Sequence, residues 1–507
     1  MARGRERRAG TALAAALLLV LAGCSARRGA EADLPATGAE RRAFAAPSTS
    51  AEVRDTVARL ARLTPSARVE TLGRSAGGKP ILALLLPRDA AAGRTAFTEA
   101  ASPDRPLTVL IVASQHGTEP SGTEAVLALA RDVVGSRAGF LDGVQLVLVP
   151  DGNPDGRDAR RRVNANGVNL STNYVSLSEP ESQAMVRVLV RWQPDVVLDV
   201  HESALLKRRS LGAQGYLTDF EAQIEVANEP NVEPRLRDLT LGTLLPAALA
   251  RVGARGLRAQ RYVGEIIDVR QPITHGGPSV RNLRNAAGIR GAASFLIENR
   301  LDPPAPGHPT PRNLAARIDK QLLTMRALLE VCVEHADEIR AAARRARDAW
   351  RTGEPEWVAL SSEWVPDAES PRIVVPLRRR DDGRLEDVEF ARHTRLRASP
   401  VVPVPAAYVV HREQDGVAAV LERQGIAFER APSGGELWIT LRQPTRRLIP
   451  LLLDRRSRAS LLRDPLWRAS SAAGSADAAG DESVVEPVDD PGRLSPAPSR
   501  GRTAPRG

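Results

Sequence analysis

From Ala51 onward the chain carries two hydrophobic rhythms in alternation. Val53, Val57, Leu60 and Leu63 recur at the spacing of one helix face. Val69–Leu72, a Ser75-Ala76-Gly77-Gly78 turn and Ile81–Leu86 then read as a strand hairpin. Four short, predominantly apolar runs follow: Leu107–Ala113, Val144–Pro150, Val196–Val200 and Ala292–Ile297. Helical patterns such as Glu124–Val134 and Ser182–Trp192 lie between them. Apolar strands alternating with helices predict an α/β fold, a mixed and largely parallel sheet with helices on both faces. A long helix over Leu314–Arg347 is expected to close it. Past Pro355 the texture changes: Val374–Leu377, Asp387–Phe390, Tyr408–His411, Ile426–Phe428 and Leu437–Leu441 read as short strands, with one helix around Val417–Arg423. The expected division is a flexible tether over 25–50, a main domain over 51–350, a small α+β accessory domain over 355–468 and a disordered tail over 469–507.

Residues 1–24 have a different character. Arg3, Arg5, Arg7 and Arg8 precede a run of small and aliphatic residues, Thr11–Ala22, too short for a comfortable membrane span. The run ends in Leu21-Ala22-Gly23-Cys24, which resembles a bacterial lipobox. The resemblance implies a signal peptide cut before Cys24, lipid on the Cys24 sulfur, and a chain anchored to a membrane on the periplasmic or cell-envelope side. Ser25 after the cysteine is similar to the outer-membrane sorting pattern. The other cysteine, Cys332, sits in an apolar helical stretch and is expected to be an inert buried thiol, so the fold does not depend on disulfides.

Composition narrows the class. Of 507 residues, 42% are hydrophobic and 26% charged, which fits a globular body and excludes wholesale disorder. The net charge of +10 alone suggests a polyanionic partner. Yet only three of the 71 basic residues are lysine (Lys79, Lys207 and Lys320), and the arginines are interleaved with acids along the whole chain. Aromatic residues, the stacking platforms for single strands, make up only 3%. No nucleic-acid partner is predicted.

In open α/β sheets ligands bind beyond the carboxyl ends of strands. All four apolar runs deliver polar residues there: Ser114–Glu119, Asp151–Gly156, Asp199–Ser203 and Glu298–Arg300. His116 and Glu119, three apart at a strand-to-helix turn, can point the same way and share a metal. His201 at another strand end completes a His₂Glu set, the ligand set of a catalytic Zn²⁺ that keeps one position open for water. Such an ion lowers the pKa of the water and polarises a carbonyl. Glu298 near the open position would serve as general base, then as acid toward a leaving amine. Asp199 alternates with His201 and can orient it, whereas Glu202 points the other way and reads as structural. Asp151 and Asn153 read as loop-shaping and Asp155 as turn-stabilising. His275, His308, His335, His393 and His411 show no spacing for a second metal, and Ser203 has no base arrangement of a serine hydrolase.

These segments resemble the zinc carboxypeptidase superfamily from about Gly73 to Arg300. Gly73-Arg74-Ser75 with Gly78-Lys79-Pro80-Ile81 is similar to the family's opening motif. His116-xx-Glu119, Asn153-Pro154-Asp155-Gly156, the segment Arg162–Leu170, Asp199-Val200-His201 and Ser294–Glu298 carry the rest. The resemblance implies one zinc per chain on His116, Glu119 and His201, Glu298 as general base, and Arg162 stabilising an oxyanion. It implies a peptide substrate, and the N-terminal segment adds cell-envelope peptides to the expected range.

The departures bear on specificity. The asparagine–arginine pair with which the family grips a terminal carboxylate falls on Ser171-Thr172, which cannot form a charged, bidentate clamp. Asn173-Tyr174 keeps the pattern beyond it, and Asn169 replaces an aspartate. Thr274–Ile297 contains no tyrosine, where the family often places one, and Tyr262 lies further upstream. Candidate substrate contacts are therefore Asn173, Tyr174 and a compensating cation from Lys207-Arg208-Arg209, Arg281 or Arg284. Three readings stay open: a carboxypeptidase-type peptidase, a deacylase of N-acyl amino acids on the same fold, and a binding lipoprotein without turnover.

Overall fold

The computed structural model describes residues 34–87, 97–98, 100, 102, 105–135, 139–203, 211–301, 313–432, 435–470 and 484–489. Up to residue 300 the strands are β1 (Arg68–Arg74), β2 (Pro80–Leu86), β3 (Leu107–Ala113), β4 (Val144–Val149), β5 (Val196–Ser203), β6 (Tyr216–Thr218), β7 (Ala222–Val226), β8 (Ala259–Arg261) and β9 (Ala293–Arg300). All but β6 share one eight-stranded sheet of order β1-β2-β4-β3-β5-β9-β7-β8. The four central strands, β4, β3, β5 and β9, run parallel, while β1, β2 and β7 join antiparallel. The mixed, largely parallel sheet read from the apolar runs is what forms.

Period-two alternation sorts the core into two layers. Leu84, Leu86, Val109, Ile111, Leu146, Leu148 and Leu198 face helices Ser50–Leu63, Ser121–Val134, Leu245–Ala254 and Leu314–Glu334. Ile81, Ala83, Leu85, Leu110, Val112, Val147 and Val197 face helices Pro180–Trp192 and Leu283–Gly288. Both faces of the centre are covered, which is why β3 is buried at every position. Cys332 is fully buried in this core, and burial pushes its thiol up to about 12, as expected of an inert cysteine.

Several expected boundaries are corrected. The stretch from 34 to 50 does not behave as a tether: Gly38–Arg41 is a helix with a capping box at Thr37, and Ala39 sits in the main core. Ser48 donates from its backbone N–H at 2.7 Å and its hydroxyl at 2.9 Å to the buried Glu124 carboxylate. The expected helix Leu314–Arg347 is two helices, Leu314–Glu334 and Ala336–Asp348, broken at His335. The expected strand at 426–428 forms instead at Glu429–Arg430. Part of the tail is ordered too, since Val485–Val488 pairs with strand Ala407–Val410. Residues 1–33, including Cys24, lie outside the described residues.

The region after 355 shares its core with the main domain. Val175, Val280 and Ile289 pack among Tyr408, Val417, Leu421 and Leu452. The Gln424 amide donates to the carbonyls of Tyr174 and Val175 at 2.9 and 3.0 Å. Strand Arg372–Arg379 pairs with Leu385–Ala391 on one side and with β6 on the other, so a main-domain segment is the third strand of an accessory sheet.

Candidate metal centre and cleft

The site forms where β3, β5 and β9 end. β3 stops in Ser114, whose φ of +60° lies in the left-handed region, and the chain turns there to present Gln115 and His116. β5 carries His201 beside Glu298 of β9 in direct register, so two strand ends deliver two of the four expected groups as neighbours. Gln321, from the long helix behind the sheet, donates to the His201 carbonyl at 2.7 Å and fixes that strand end.

Two glycines explain the spacing of two motifs. A Cβ at Gly117 would lie 1.9 Å from the carbonyl carbon of Gly156, so the His-Gly turn can lie on the Asn-Pro-Asp-Gly turn only without a side chain. Asn153 caps the second turn by accepting from the Gly156 N–H at 2.9 Å and donates to the Gln115 carbonyl at 3.1 Å. Asp155 accepts from the Gly77 N–H at 2.8 Å, which ties the β1–β2 hairpin turn to the same spot. Gly117→Ala is expected to push apart the turn carrying His116 and Glu119 and to lower zinc content severalfold in a protein that still folds; metal analysis of the purified variant checks this.

His116, Glu119 and His201 come together, each buried, with one ligand atom apiece within 4.8 Å of the others. His116 Nδ1 lies 2.8 Å from Glu119 Oε1, His201 Nδ1 lies 2.9 Å from Glu119 Oε2, and the two Nδ1 atoms are 3.2 Å apart. These separations approach the edge of a tetrahedron with bonds of about 2.0–2.1 Å, roughly 3.3 Å. The far ring nitrogens are engaged elsewhere: His116 Nε2 meets Asn169 Oδ1 at 3.0 Å and Ser171 Oγ at 2.9 Å, and His201 Nε2 meets Asp199 Oδ1 at 2.9 Å. Donors of the right kind converge, and outer partners fix both rings. The residues fit a zinc ion.

The buried groups also shift one another's charges. Burial pushes the Glu119 carboxyl upward, but His116 and His201 outweigh it and hold it well below its usual range. Burial lowers His201, but Asp199 and Glu119 outweigh that and hold it well above the usual imidazole value. Burial dominates at His116 and lowers it. Glu298 is pushed up to about 7 by burial, against the pull of the His201 charge. Arg162 Nη1 donates to Glu119 Oε1 at 2.9 Å, with about half of its side chain exposed at the cleft. Its loop is held by Asn164, which donates to Glu179 at 2.6 Å and accepts from Val168 N–H at 3.0 Å. Glu119, Arg162, Ser203, Thr218, Tyr262 and Glu298 line one cleft.

A zinc carboxypeptidase family model matches residues 53–219, the span that holds His116, Glu119, Arg162 and His201. Residues 53–219 thus carry a zinc carboxypeptidase domain. Among curated relatives, a probable carboxypeptidase 2 of Trichophyton verrucosum (strain HKI 0517) is 23% identical over 336 residues, 65% of this chain and 62% of that protein. The chain thus spans about three fifths of the length of that relative. Carboxypeptidase D of Mus musculus is 34% identical over 103 residues, 17% of this chain and 7% of that protein. Carboxypeptidase A from Helicoverpa armigera has a solved structure that aligns with a TM-score of 0.43 and 15% identity, over 58% of this chain and 75% of that one.

Against this zinc carboxypeptidase background the other expected site residues separate. Asn173 is buried, accepts from the Glu179 N–H at 3.0 Å and donates to Ser178 at 2.9 Å. Tyr174 is buried and donates to Gln115 Oε1 at 2.6 Å. Both brace the site from behind and neither lines the cleft. Arg281 pairs with Asp464 of the accessory region, so it too is structural. Lys207 lies outside the described residues. Arg284 is buried behind Tyr262. Ser171 and Thr172 form no clamp, because Ser171 Oγ is spent on His116 and Thr172 Oγ1 donates to the Asn169 carbonyl at 3.1 Å. Asp199 orients His201, and Glu202 is held by Arg317 in two bonds of 2.8 Å, as expected of a structural carboxylate. Sequence reasoning missed Ser203, whose hydroxyl donates to Glu298 Oε2 at 2.9 Å. The available signal was its position two residues past His201, on the same strand face.

Proposed function

We propose that this chain is a zinc-dependent peptidase of the carboxypeptidase type, hydrolysing a peptide bond with Glu298 as general base. The observation that carries the reading is the juxtaposition of His201 and Glu298 in register on neighbouring strands, beside a buried His116–Glu119 pair. His116, Glu119 and His201 would hold zinc, which supplies a Lewis acid that polarises a carbonyl and acidifies water. Glu298 takes a proton from the attacking water and delivers it to the departing amine nitrogen, leaving a carboxylate and a free amine. A carboxyl group poised at about 7 suits both halves of that transfer near neutral pH. Ser203 steadies the Glu298 carboxylate through its 2.9 Å hydrogen bond. Arg162 lines the cleft beside Glu119, where its guanidinium can meet negative charge developing on the carbonyl oxygen.

The reading extends to location. A basic segment, an apolar run and Leu21-Ala22-Gly23-Cys24 support an exported protein held to a membrane by lipid on Cys24, with peptides of the cell envelope within reach. Among the described residues no helix is long and apolar enough to cross a membrane. The test is to incubate the zinc-loaded chain lacking residues 1–24 with a mixed pool of peptides and murein fragments and read products by mass spectrometry. Loss of C-terminal residues is expected; a zinc-loaded protein that releases no product would overturn the proposal.

A further inference from the structure

The two ligand rings are not backed alike. His116 Nε2 faces neutral groups, Asn169 Oδ1 and Ser171 Oγ. His201 Nε2 faces the Asp199 carboxylate at 2.9 Å. Among the described residues Asp199 is the one carboxylate outside the ligand set that meets a ligand ring. An anion there keeps the ring proton on Nε2 and leaves the Nδ1 lone pair for a metal. Whatever holds Asp199 in place therefore bears on the whole ligand set.

Gln115 holds it. Its Nε2 donates to Asp199 Oδ1 at 2.5 Å, the same oxygen that His201 engages, and lies 3.4 Å from His201 Nε2. The amide fits only one way round, because reversed it would set its oxygen against the carboxylate, acceptor on acceptor. Tyr174 enforces that choice, since its hydroxyl donates to Gln115 Oε1 at 2.6 Å. Burial first, and the Asp199 charge next, push the phenol well above its usual value, so it stays a donor.

Both outer members of this row are pinned through their backbones. Asn153 donates to the Gln115 carbonyl at 3.1 Å. The Tyr174 N–H donates to the Arg281 carbonyl at 3.2 Å, and the Tyr174 carbonyl accepts from Gln424 at 2.9 Å. Tyr174, Gln115 and Asp199 are each only 2% exposed, and none lines the cleft. Groups that touch no substrate but converge on one ligand ring can act on the chemistry only through that ring.

We propose that Gln115 and Tyr174 are positioning residues that lock Asp199 onto His201 and thereby set the affinity of the His116, Glu119 and His201 site for zinc. The inference deepens the peptidase reading and rests on its metal site.

The experiment uses the otherwise intact chain and zinc alone, with the dissociation constant measured by competition against a chromophoric chelator. Gln115→Met keeps the length of the side chain and loses both hydrogen bonds. It should weaken zinc binding at least about tenfold, the lower end of what an outer partner contributes. Tyr174→Phe removes one hydroxyl and should weaken binding at least about threefold, and it stands in if the methionine variant does not fold. In an Asp199→Ala background the partner through which both act is gone, so neither substitution should change the affinity by more than about twofold. Cobalt(II)-loaded protein gives a second readout. The visible absorption bands of the folded variants should differ from wild type, because the ligand geometry shifts, whereas loosened packing alone leaves them unmoved. Wild-type affinity in either folded variant, wild-type bands in both, or losses as large without Asp199 as with it overturn the proposal. Wild-type turnover measured in parallel separates the two readings: variant-sensitive zinc binding without hydrolysis by the wild type sinks the peptidase alone, and hydrolysis with variant-insensitive zinc binding sinks this inference alone.

Discussion

Glu298→Gln is expected to lower kcat by roughly 10³–10⁴-fold while zinc content and melting temperature stay at wild-type values. Glutamine keeps the size of the side chain, and its amide oxygen can still accept the Ser203 hydroxyl that now reaches Glu298 at 2.9 Å. What it cannot do is take and return a proton. The His116, Glu119 and His201 cluster does not include Glu298, so the metal set is left whole. Kinetics on a peptide substrate beside metal analysis of both proteins separates the two effects. Undiminished turnover in the variant would mean that another group moves the proton.

His201→Ala is expected to take zinc from about one per chain to near none. The loss should exceed the roughly 10–100-fold in affinity that removal of an outer partner costs, because a ligand itself goes. His201 also holds charges apart: its ring lies 2.9 Å from Asp199 on one side and 2.9 Å from Glu119 on the other. Without it two buried carboxylates face each other across the empty space of a side chain, so melting temperature should fall as well. Metal analysis and a thermal melt check both parts. A well-folded wild type that fails to take up zinc would sink the assignment outright.

The strand ends were legible because burial and chemistry leave opposite marks: β3 is buried along its whole length, then hands over within three residues to His116. Arg162 and Asn164 were legible because their loop is held largely by nearby partners, such as Glu179. Tyr174 and Arg281 were misread as facing the substrate for the opposite reason. Their partners are Gln115 for Tyr174 and Asp464 for Arg281, far off in the chain, and no local pattern announces such pairs. The stretch from 34 to 50 misled by composition: its small polar residues look like a tether, yet Ser48 is buried on Glu124, 76 positions away. Val485–Val488 was hidden likewise, since four residues make a strand only when Ala407–Val410 offers an edge. Ser203 needed the β5–β9 register, which a sequence does not print.

One feature of the fold ties the rim of the cleft to the far end of the chain. Leu217 and Thr218 of β6 border the cleft, and their backbone partners are Arg378 and Leu377 of the accessory sheet. Asp219 just beyond is gripped by Arg378 at 2.8 and 3.1 Å and by Arg258 at 2.6 Å. One border of the cleft is thus hung on the accessory sheet, while His116, Glu119, His201 and Glu298 stand at the ends of the central sheet. Mutational drift in the appended half can reshape what enters the cleft without disturbing His116, Glu119, His201 or Glu298. That border of the cleft is free to change shape separately from the four groups at the strand ends, because its support comes from a part of the chain that contributes none of them.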